Sequence, residues 1–431
     1  MNDCLHIAVI GSGGREHAVI KKLLQSRRAG KITAIPGNGG IAREVPCVNI
    51  RPTDIAAVVR WCVDNSIDYV VVTPDDPLAL GMVDALAEKN IPAFGPVKAA
   101  AKIESSKAYA KNLMKKYHIP TAAFEVFNSP AEALCYAKWW FERNVNSPLV
   151  VKADGLALGK GVTVCERLTQ AESAIRGCME DGKFGESGKT VVIEECLTGP
   201  EVSVLAFCDG TTIVPMTSSM DHKRAEDGGL GENTGGMGTI APNPFYTAGT
   251  AAVCMETIYL PTVRMMAEEG APFKGCLYFG LMLTADGPKV IEYNCRFGDP
   301  ETQAVLPLLQ SDLLELMLAC TEGRLDLEQA VFSGDAACCI ILASGGYPLT
   351  YKTGFPITGL AEAEKIARIY YAGVAASGSE LLTAGGRVLG VGATDPSLEA
   401  ALADAYTAAA KIAWPGLHYR HDIGISAVTS A

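Results

Sequence analysis

No stretch of the chain approaches the roughly 18 consecutive apolar residues that a membrane helix needs, so no membrane partner is expected. The opening MNDCLHIAVIGSGG has no basic segment, and Arg15 and Glu16 come too early for a secretory signal. Fourteen cysteines occur, yet no CxxC pair does, and the adjacent Cys338 and Cys339 cannot easily bridge each other. A disulfide scaffold and a zinc site are thereby disfavoured, and reduced thiols in a cytoplasm fit best. Positive charge is also scarce: 37 Lys and Arg face 48 Asp and Glu, a net charge of −11. A protein held on nucleic acid by phosphate contacts should be basic, so no nucleic-acid partner is expected. A small anionic substrate stays open, because a local cluster of cations can overcome the mean field. Internal repeats and low-complexity tracts are absent. With 48% hydrophobic and 20% charged residues, the chain can bury large cores. Its 431 residues allow about three domains, and its 44 glycines and 23 prolines suggest tight turns or loops whose backbone lines a ligand.

The apolar runs IAVI (7–10), ITAI (32–35) and YVVV (69–72) alternate with amphipathic segments, the pattern of parallel βαβ units. A bridging helix, IESSKAYAKNLMKKY, is expected within 103–125, followed by Pro120. The runs PLVVKAD, GVTVCE, TVVIEECL and EVSVLAFC over 149–208 read as strands joined by glycine turns, with one helix at 169–181. Residues 221–242 read as a polar, glycine-rich loop. A helix at about 249–269, strands at 275–284 and 289–295 and a helix at 302–322 follow. The last block, 335–431, mixes strands (AACCIILA, GRVLGVGA) with a helix at 397–412.

Several segments carry candidate chemistry. IAVIGSGGREHA (7–18) is a strand, a glycine turn and a helix start, which suits an anion at a helix N-terminus or serves as a plain βα turn. As a dinucleotide fingerprint it fails twice: Glu16 stands at the third glycine position, and no acid follows the second strand. VVKADGLALGKGV (150–162) puts Lys152 in an apolar strand before a loop with Gly155, Gly159 and Gly161. A lysine there is costly unless it meets an anion, and the loop can fold over a polyphosphate, although it is no Walker A motif. VVIEECLTGPEVS (191–203) offers Glu194 and Glu195 at a strand end and Glu201 as an acceptor for ribose; a solvated turn is the alternative. In KVIEYNCRFGDPETQ (289–303) the two-residue period sends Ile291, Tyr293 and Cys295 to one face and Glu292, Asn294 and Arg296 to the other. A carboxylate and an amide oxygen are hard donors suited to Mg²⁺, and arginine can take a phosphate in a fork. In DHKRAEDGGLGENTGGMG (221–238), His222 is either an acid–base group or a hydrogen-bonding scaffold residue.

Taken in order, VVKADGLALGKGV, VVIEECLTGPE, DHKR…NTGGMG and EYNCRFGDPETQ closely resemble the phosphoribosylamine–glycine ligases, also called glycinamide ribonucleotide synthetases, which are ATP-grasp enzymes of purine biosynthesis. The likeness runs from GSGGREHA to GGRVL (385–389) and YRHDIG (419–424). It implies a mixed α/β and α+β chain. An N-terminal parallel-sheet domain would occupy 1–103 and a two-lobed ATP-grasp core 104–330, with a lid at about 125–192. A small α/β domain would occupy 331–431.

The resemblance further implies ATP as co-substrate, Mg²⁺ or Mn²⁺, and glycine and phosphoribosylamine as small-molecule partners; a monomer is the expected form. Lys107, Lys152, Gly155, Gly159, Gly161, Glu194, Glu195, Cys196, Leu197, Glu201, Arg224 and Asn233 would bind the nucleotide, and Glu292 and Asn294 the metal. Gly13, Gly14, Arg15, Glu16, Asn38, Arg296, Gly298 and Asp299 would receive substrate. Arg296, Lys152 and Asp221 would be catalytic. The chain departs from the family pattern at Thr73-Pro74-Asp75, Cys196, Pro200 and Glu232. A different ATP-grasp ligase, a nicotinamide oxidoreductase and a nucleotide sensor are the competing readings.

Overall fold

The computed structural model describes residues 4–144, 146–156 and 161–425. Strands Leu5–Gly11, Ala29–Pro36, Tyr69–Val72 and Ala93–Phe94 form a parallel sheet, with Leu5–Gly11 and Tyr69–Val72 at its centre. Ile7 to Ile10 and Tyr69 to Val72 are buried on both faces, as near-continuous apolar runs require.

Two antiparallel four-stranded sheets follow. The larger runs Ile213–Pro215, Glu201–Asp209, Lys274–Thr284, Gly287–Asn294. The smaller runs Phe124–Phe127, Val191–Glu195, Leu149–Ala153, Val162–Cys165. Helices Pro130–Arg143 and Leu168–Met179 cover the smaller sheet and share a core with it that holds no residue of any other block. The larger sheet instead shares its core with the N-terminal sheet, through side chains such as Ile10, Val70, Phe279 and Tyr293. The smaller sheet and its two helices are thus a separately packed body.

Four readings of the sequence are corrected. The single bridging helix is two, Lys98–Ser105 and Lys107–Lys116. Ser106 breaks it by adopting extended backbone and accepting the Tyr109 N–H, as an N-cap does. The helix at 302–322 is likewise two, Glu301–Leu308 and Leu313–Glu322, the second capped by Asp312. The helix near 249–269 passes through a π turn at Met255–Tyr259, just before Pro261, which has no N–H to give. The polar segment 221–242 is not one loop. Its ends, Met220–Asp221 and Gly238–Ala241, pair with each other, and Gly238–Ala241 also pairs with Ala336–Ser344 of the last block. Between them Arg224–Glu226 and Leu230–Asn233 make a hairpin. The sheet of the last block, completed by Arg387–Asp395 and Arg368–Tyr371, therefore hydrogen-bonds to strands from the middle of the chain. Among the described residues no helix is long and apolar enough to cross a membrane.

Candidate active site

The strand Gly287–Asn294 does not keep a simple two-residue period. Gly280 pairs with Glu292 but Leu281 with Val290, so Ile291 is an extra, bulged residue. Val290, Tyr293 and Cys295 are buried, while Ile291 is not fully so. The bulge turns the Ile291 carbonyl toward Lys152, whose Nζ donates to it at 3.2 Å. Glu292, Asn294 and Arg296 follow on the half-buried side. Arg296 Nη2 pairs with Glu104 Oε1 at 2.9 Å and lies 3.5 Å from Asn294 Oδ1. Its Nε is buried with no partner among the described residues, so one edge of the guanidinium is held and one donor is left for a ligand.

Positive charge concentrates around Glu292. Burial alone would raise its carboxyl, but Lys223, Lys152, Lys107 and Arg296 overcome that and hold it below the usual range. Each cation has its own tether. Lys107, at the start of its helix, donates to the Gly155 carbonyl at 2.8 Å. Lys152 pairs with Glu194 at 3.0 Å and Lys223 with Glu201 at 3.0 Å. Burial lowers the Lys107 ammonium, with Glu292 opposing. Four cations thus surround Glu292, three of them also paired with Glu104, Glu194 or Glu201, and together they place several N–H donors where a polyphosphate could be bound. Glu201, expected at a ribose, is exposed and committed to Lys223.

At the hinge, Glu194 is buried and Glu195 accepts the Ala123 N–H at 2.9 Å, while Cys196 and Leu197 are half-buried. Gly161 O accepts the Ala153 N–H at 2.8 Å; Gly159 lies outside the described residues. Arg224 is exposed and donates to Gly231 O at 2.8 Å, closing its own hairpin opposite Asn233.

The N-terminal glycine turn meets the 298–303 segment. A Cβ on Gly13 would stand 2.7 Å from Glu16 Oε2 and 3.4 Å from Asp299 Oδ2, and one on Gly14 2.7 Å from Gln303 Nε2. A side chain at either position would have to displace the end of Glu16 or of Gln303. Glu16 is buried and internally engaged, by the Gly13 N–H at 2.5 Å, Arg15 Nε at 2.7 Å and Thr73 Oγ1 at 2.7 Å. Thr73, the first residue of the departing Thr-Pro-Asp, thus braces the turn. Asn38 is likewise engaged at both ends. Its Nδ2 donates to Ser12 O and Tyr371 O, and its Oδ1 accepts the Gly40 and Ile41 N–H groups, at 2.8–2.9 Å. The structure casts Glu16 and Asn38 as supports of the turn. Arg15 Nη1 reaches the Phe297 carbonyl at 3.1 Å, and Gly298 O accepts Thr302 Oγ1 at 2.6 Å.

A second acidic group adjoins this turn. Asp221 Oδ1 is buried without a partner among the described residues, and a Cβ on Gly236 would stand 2.6 Å from it and 2.5 Å from Pro300 Cδ. Burial first, and Glu301 next, push the Asp221 carboxyl well above its usual value, against Lys223 and Arg387. Asp299 goes the other way: burial opposes ionisation, but Arg387 and Arg15 hold the carboxyl low. Arg387 Nη1 donates to Gly235 O at 2.7 Å and Asp299 O at 2.8 Å.

His222 proves to be a scaffold residue. Its Nδ1 lies 3.2 Å from Gly238 O and its Nε2 accepts the Gly424 N–H at 3.2 Å. Sequence reasoning missed Glu104, Lys111, Lys223, Glu301 and Arg387 as site residues. Lys111 was signalled only by its spacing of four from Lys107, which puts both on one helix face. Arg387 lies in the GGRVL run noted above.

Family models for phosphoribosylglycinamide synthetase match three consecutive parts of the chain: the N domain at 5–104, the ATP-grasp (A) domain at 105–302 and the C domain at 337–426. A phosphoribosylamine–glycine ligase of Allochromatium vinosum is 46% identical over 98% of this chain and 99% of its own length. The crystal structure of the phosphoribosylamine–glycine ligase of Thermotoga maritima matches with a TM-score of 0.82 at 33% identity, covering 97% of this chain and all of that one. The biotin carboxylase domain of 2-oxoglutarate carboxylase from Hydrogenobacter thermophilus shares the fold, with a TM-score of 0.72 at 15% identity over 96% of this chain and 91% of that one. With its sheets, its glycine turns and its cation cradle arranged as described, the chain belongs to the phosphoribosylglycinamide synthetase family of ATP-grasp enzymes.

Proposed function

We propose that the chain joins glycine to 5-phosphoribosylamine, using ATP and releasing glycinamide ribonucleotide, ADP and phosphate. The observation that carries this reading is the convergence of Lys107, Lys152, Lys223 and Arg296 on the one carboxylate of Glu292, next to a glycine turn packed against Asp299. The first is a nucleotide-phosphate cradle and the second a place for a sugar phosphate bearing an amine.

In this reading the glycine carboxylate attacks the γ-phosphorus of ATP, giving glycyl phosphate and ADP. Lys152 and Arg296 neutralise the transferring group. The amine of phosphoribosylamine then attacks the acyl carbon, the C–O bond to phosphate breaks, and the nitrogen gives up a proton. Asp221, whose Oδ1 is buried with no partner among the described residues and whose carboxyl burial pushes up, is the acceptor for that proton. No side chain needs to act as a covalent nucleophile.

Glu292 and Asn294 fit a divalent cation. Among the described residues no group of three or more His, Cys, Asp or Glu is placed to hold one, so the donor set is one carboxylate and one amide oxygen beside a phosphate cradle. Such a pair suits Mg²⁺ or Mn²⁺ completed by phosphate and water rather than a closed protein cage. When bound, the ion would draw charge from the phosphate oxygens.

We assign 1–103 to the amine-substrate domain, 104–330 to the nucleotide core with 125–192 as its lid, and 331–431 to the closing domain. A monomer working in the cytoplasm is the reading adopted, the fourteen cysteines being unpaired. The test is a ligase assay with phosphoribosylamine generated in situ, glycine and ATP. ADP release that depends on both glycine and the amine supports the assignment; release that needs another acid or amine instead points to a different ATP-grasp ligase.

A further inference from the structure

Glu194 is 3% exposed, and its two oxygens are treated unequally. Oε2 receives two ammonium groups, Lys111 Nζ at 2.9 Å and Lys152 Nζ at 3.0 Å. Oε1 is buried with no partner among the described residues. A buried acceptor without a donor is unfavourable, and native folds seldom leave one unless a ligand completes it. Both lysines are tied to the bulged strand. Lys152 donates to Ile291 O at 3.2 Å, and Lys111 to Thr121 Oγ1 at 2.7 Å, which donates on to Val290 O at 2.6 Å. The carboxylate is thereby clamped in one orientation, with Oε1 left open.

Lys111 has no phosphate task in this arrangement. It is 2% exposed, 5.8 Å from the centre of the Phe124 ring, and Phe124 is the cross-strand partner of Glu194. Lys107, one turn earlier on the same helix face, donates to the Gly155 carbonyl at the glycine loop. One helix thus sends one lysine to the phosphate side and the other to the hinge.

We propose that Lys111 is a positioning residue that sets the choice of nucleotide base: by holding the Glu194 carboxylate in one orientation, it presents Oε1 to the 6-amino group of adenine and against the 6-oxo group of hypoxanthine or guanine. A carboxylate oxygen accepts but cannot donate, so a 6-oxo purine would set acceptor against acceptor in a buried place. Sites built around such a hydrogen bond discriminate far more strongly than apolar slots do. The proposal rests on the reading of 194–197 as the adenine hinge.

The experiment measures kcat and KM for ATP and for inosine triphosphate in the wild type, Lys111→Met, Thr121→Val and Glu194→Gln. Lys111→Met is expected to raise KM for ATP at least tenfold with kcat within threefold. The ATP-to-ITP ratio of kcat/KM should fall at least tenfold. Glu194→Gln, whose amide can turn an N–H to a 6-oxo group, should lower the same ratio at least as far. If Lys111→Met slows both nucleotides alike, or neither, while Glu194→Gln shifts the ratio, Lys111 has no part in base choice and the hinge reading stands. If neither variant shifts the ratio, the hinge reading fails and takes this proposal with it. Should Lys111→Met not fold by circular dichroism, Thr121→Val decides: a ratio lowered at least threefold supports the clamp, and an unchanged ratio overturns it.

Discussion

Lys223 shows how much the site depends on single charges. It is paired with Glu201 and acts most strongly among the cations that keep Glu292 ionised. Lys223→Met should lower kcat/KM for ATP by one to two powers of ten, about 1.4–2.7 kcal/mol of transition-state stabilisation, with the far-ultraviolet circular dichroism spectrum retained. Steady-state kinetics with varied ATP checks this. His222 carries a separate prediction about stability. Burial, then Arg420, lowers its imidazole to about 4, from an ordinary value near 6.5. The unfolded chain therefore binds the proton first, and stability falls as pH drops from about 6.5 to about 4, by on the order of 3 kcal/mol. Glu44 and Asp422, each held at about 2, act only in a lower window, below about 4.5. Denaturant titrations at pH 7.5, 6 and 5 should show the loss in the wild type and a flatter dependence in His222→Gln. At this scale the sequence was informative where motif and chemistry coincide, as at Lys152, Glu292 and Arg296. It was silent on Glu104 and Lys111, whose roles come from partners distant in the chain, Arg296 in one case and Glu194, 83 residues away, in the other.

Elements differ from residues in what a linear pattern can reveal. The parallel strands were legible because fully buried strands read as apolar runs; YVVV coincides with Tyr69–Val72. The helix break at Ser106 was not, since 103–117 keeps helical periodicity across it and only the cap geometry separates the halves. The bulge at Ile291 escaped for a similar reason: an inserted residue shifts the faces without any change in composition. The 221–242 strands were hidden by glycine and charge, because pairing with the C-terminal sheet, not local preference, makes them strands. Two predictions follow from these junctions. Ser106→Ala removes the cap of the helix that opens with Lys107, and also a 3.1 Å bond to Asp154. It should cost about 1 kcal/mol of stability and raise KM for ATP, as thermal unfolding and kinetics can measure together. Gly236→Ala would force a Cβ against Pro300 and Asp221 at a positive φ of 112°. Loss of ligase activity greater than the loss of stability is the expected outcome.

At the scale of the molecule, the C-terminal block closes the site as well as flanking it. Arg387 reaches Asp299 and the 235–236 turn. His17, in the first helix, accepts the Tyr371 N–H at 2.8 Å and lies 3.1 Å from Glu44. The N-terminal turn and the last sheet are thus fastened together around the place assigned to the amine. Arg387→Ala should lower kcat/KM for phosphoribosylamine at least a hundredfold, about 2.7 kcal/mol, while KM for ATP changes less than threefold; initial rates with each substrate varied will show whether it does. Domain order was legible from the sequence, but this fastening was not, since it joins positions more than 300 residues apart. The central claim is that glycine is activated as glycyl phosphate before the amine attacks. Glycine labelled with ¹⁸O in its carboxylate, turned over with ATP and phosphoribosylamine, tests it most directly, by mass spectrometry of the phosphate released. The account predicts one ¹⁸O in each phosphate formed, because the carboxylate oxygen that took the phosphoryl group leaves with it. Unlabelled phosphate accompanying full product formation would contradict it.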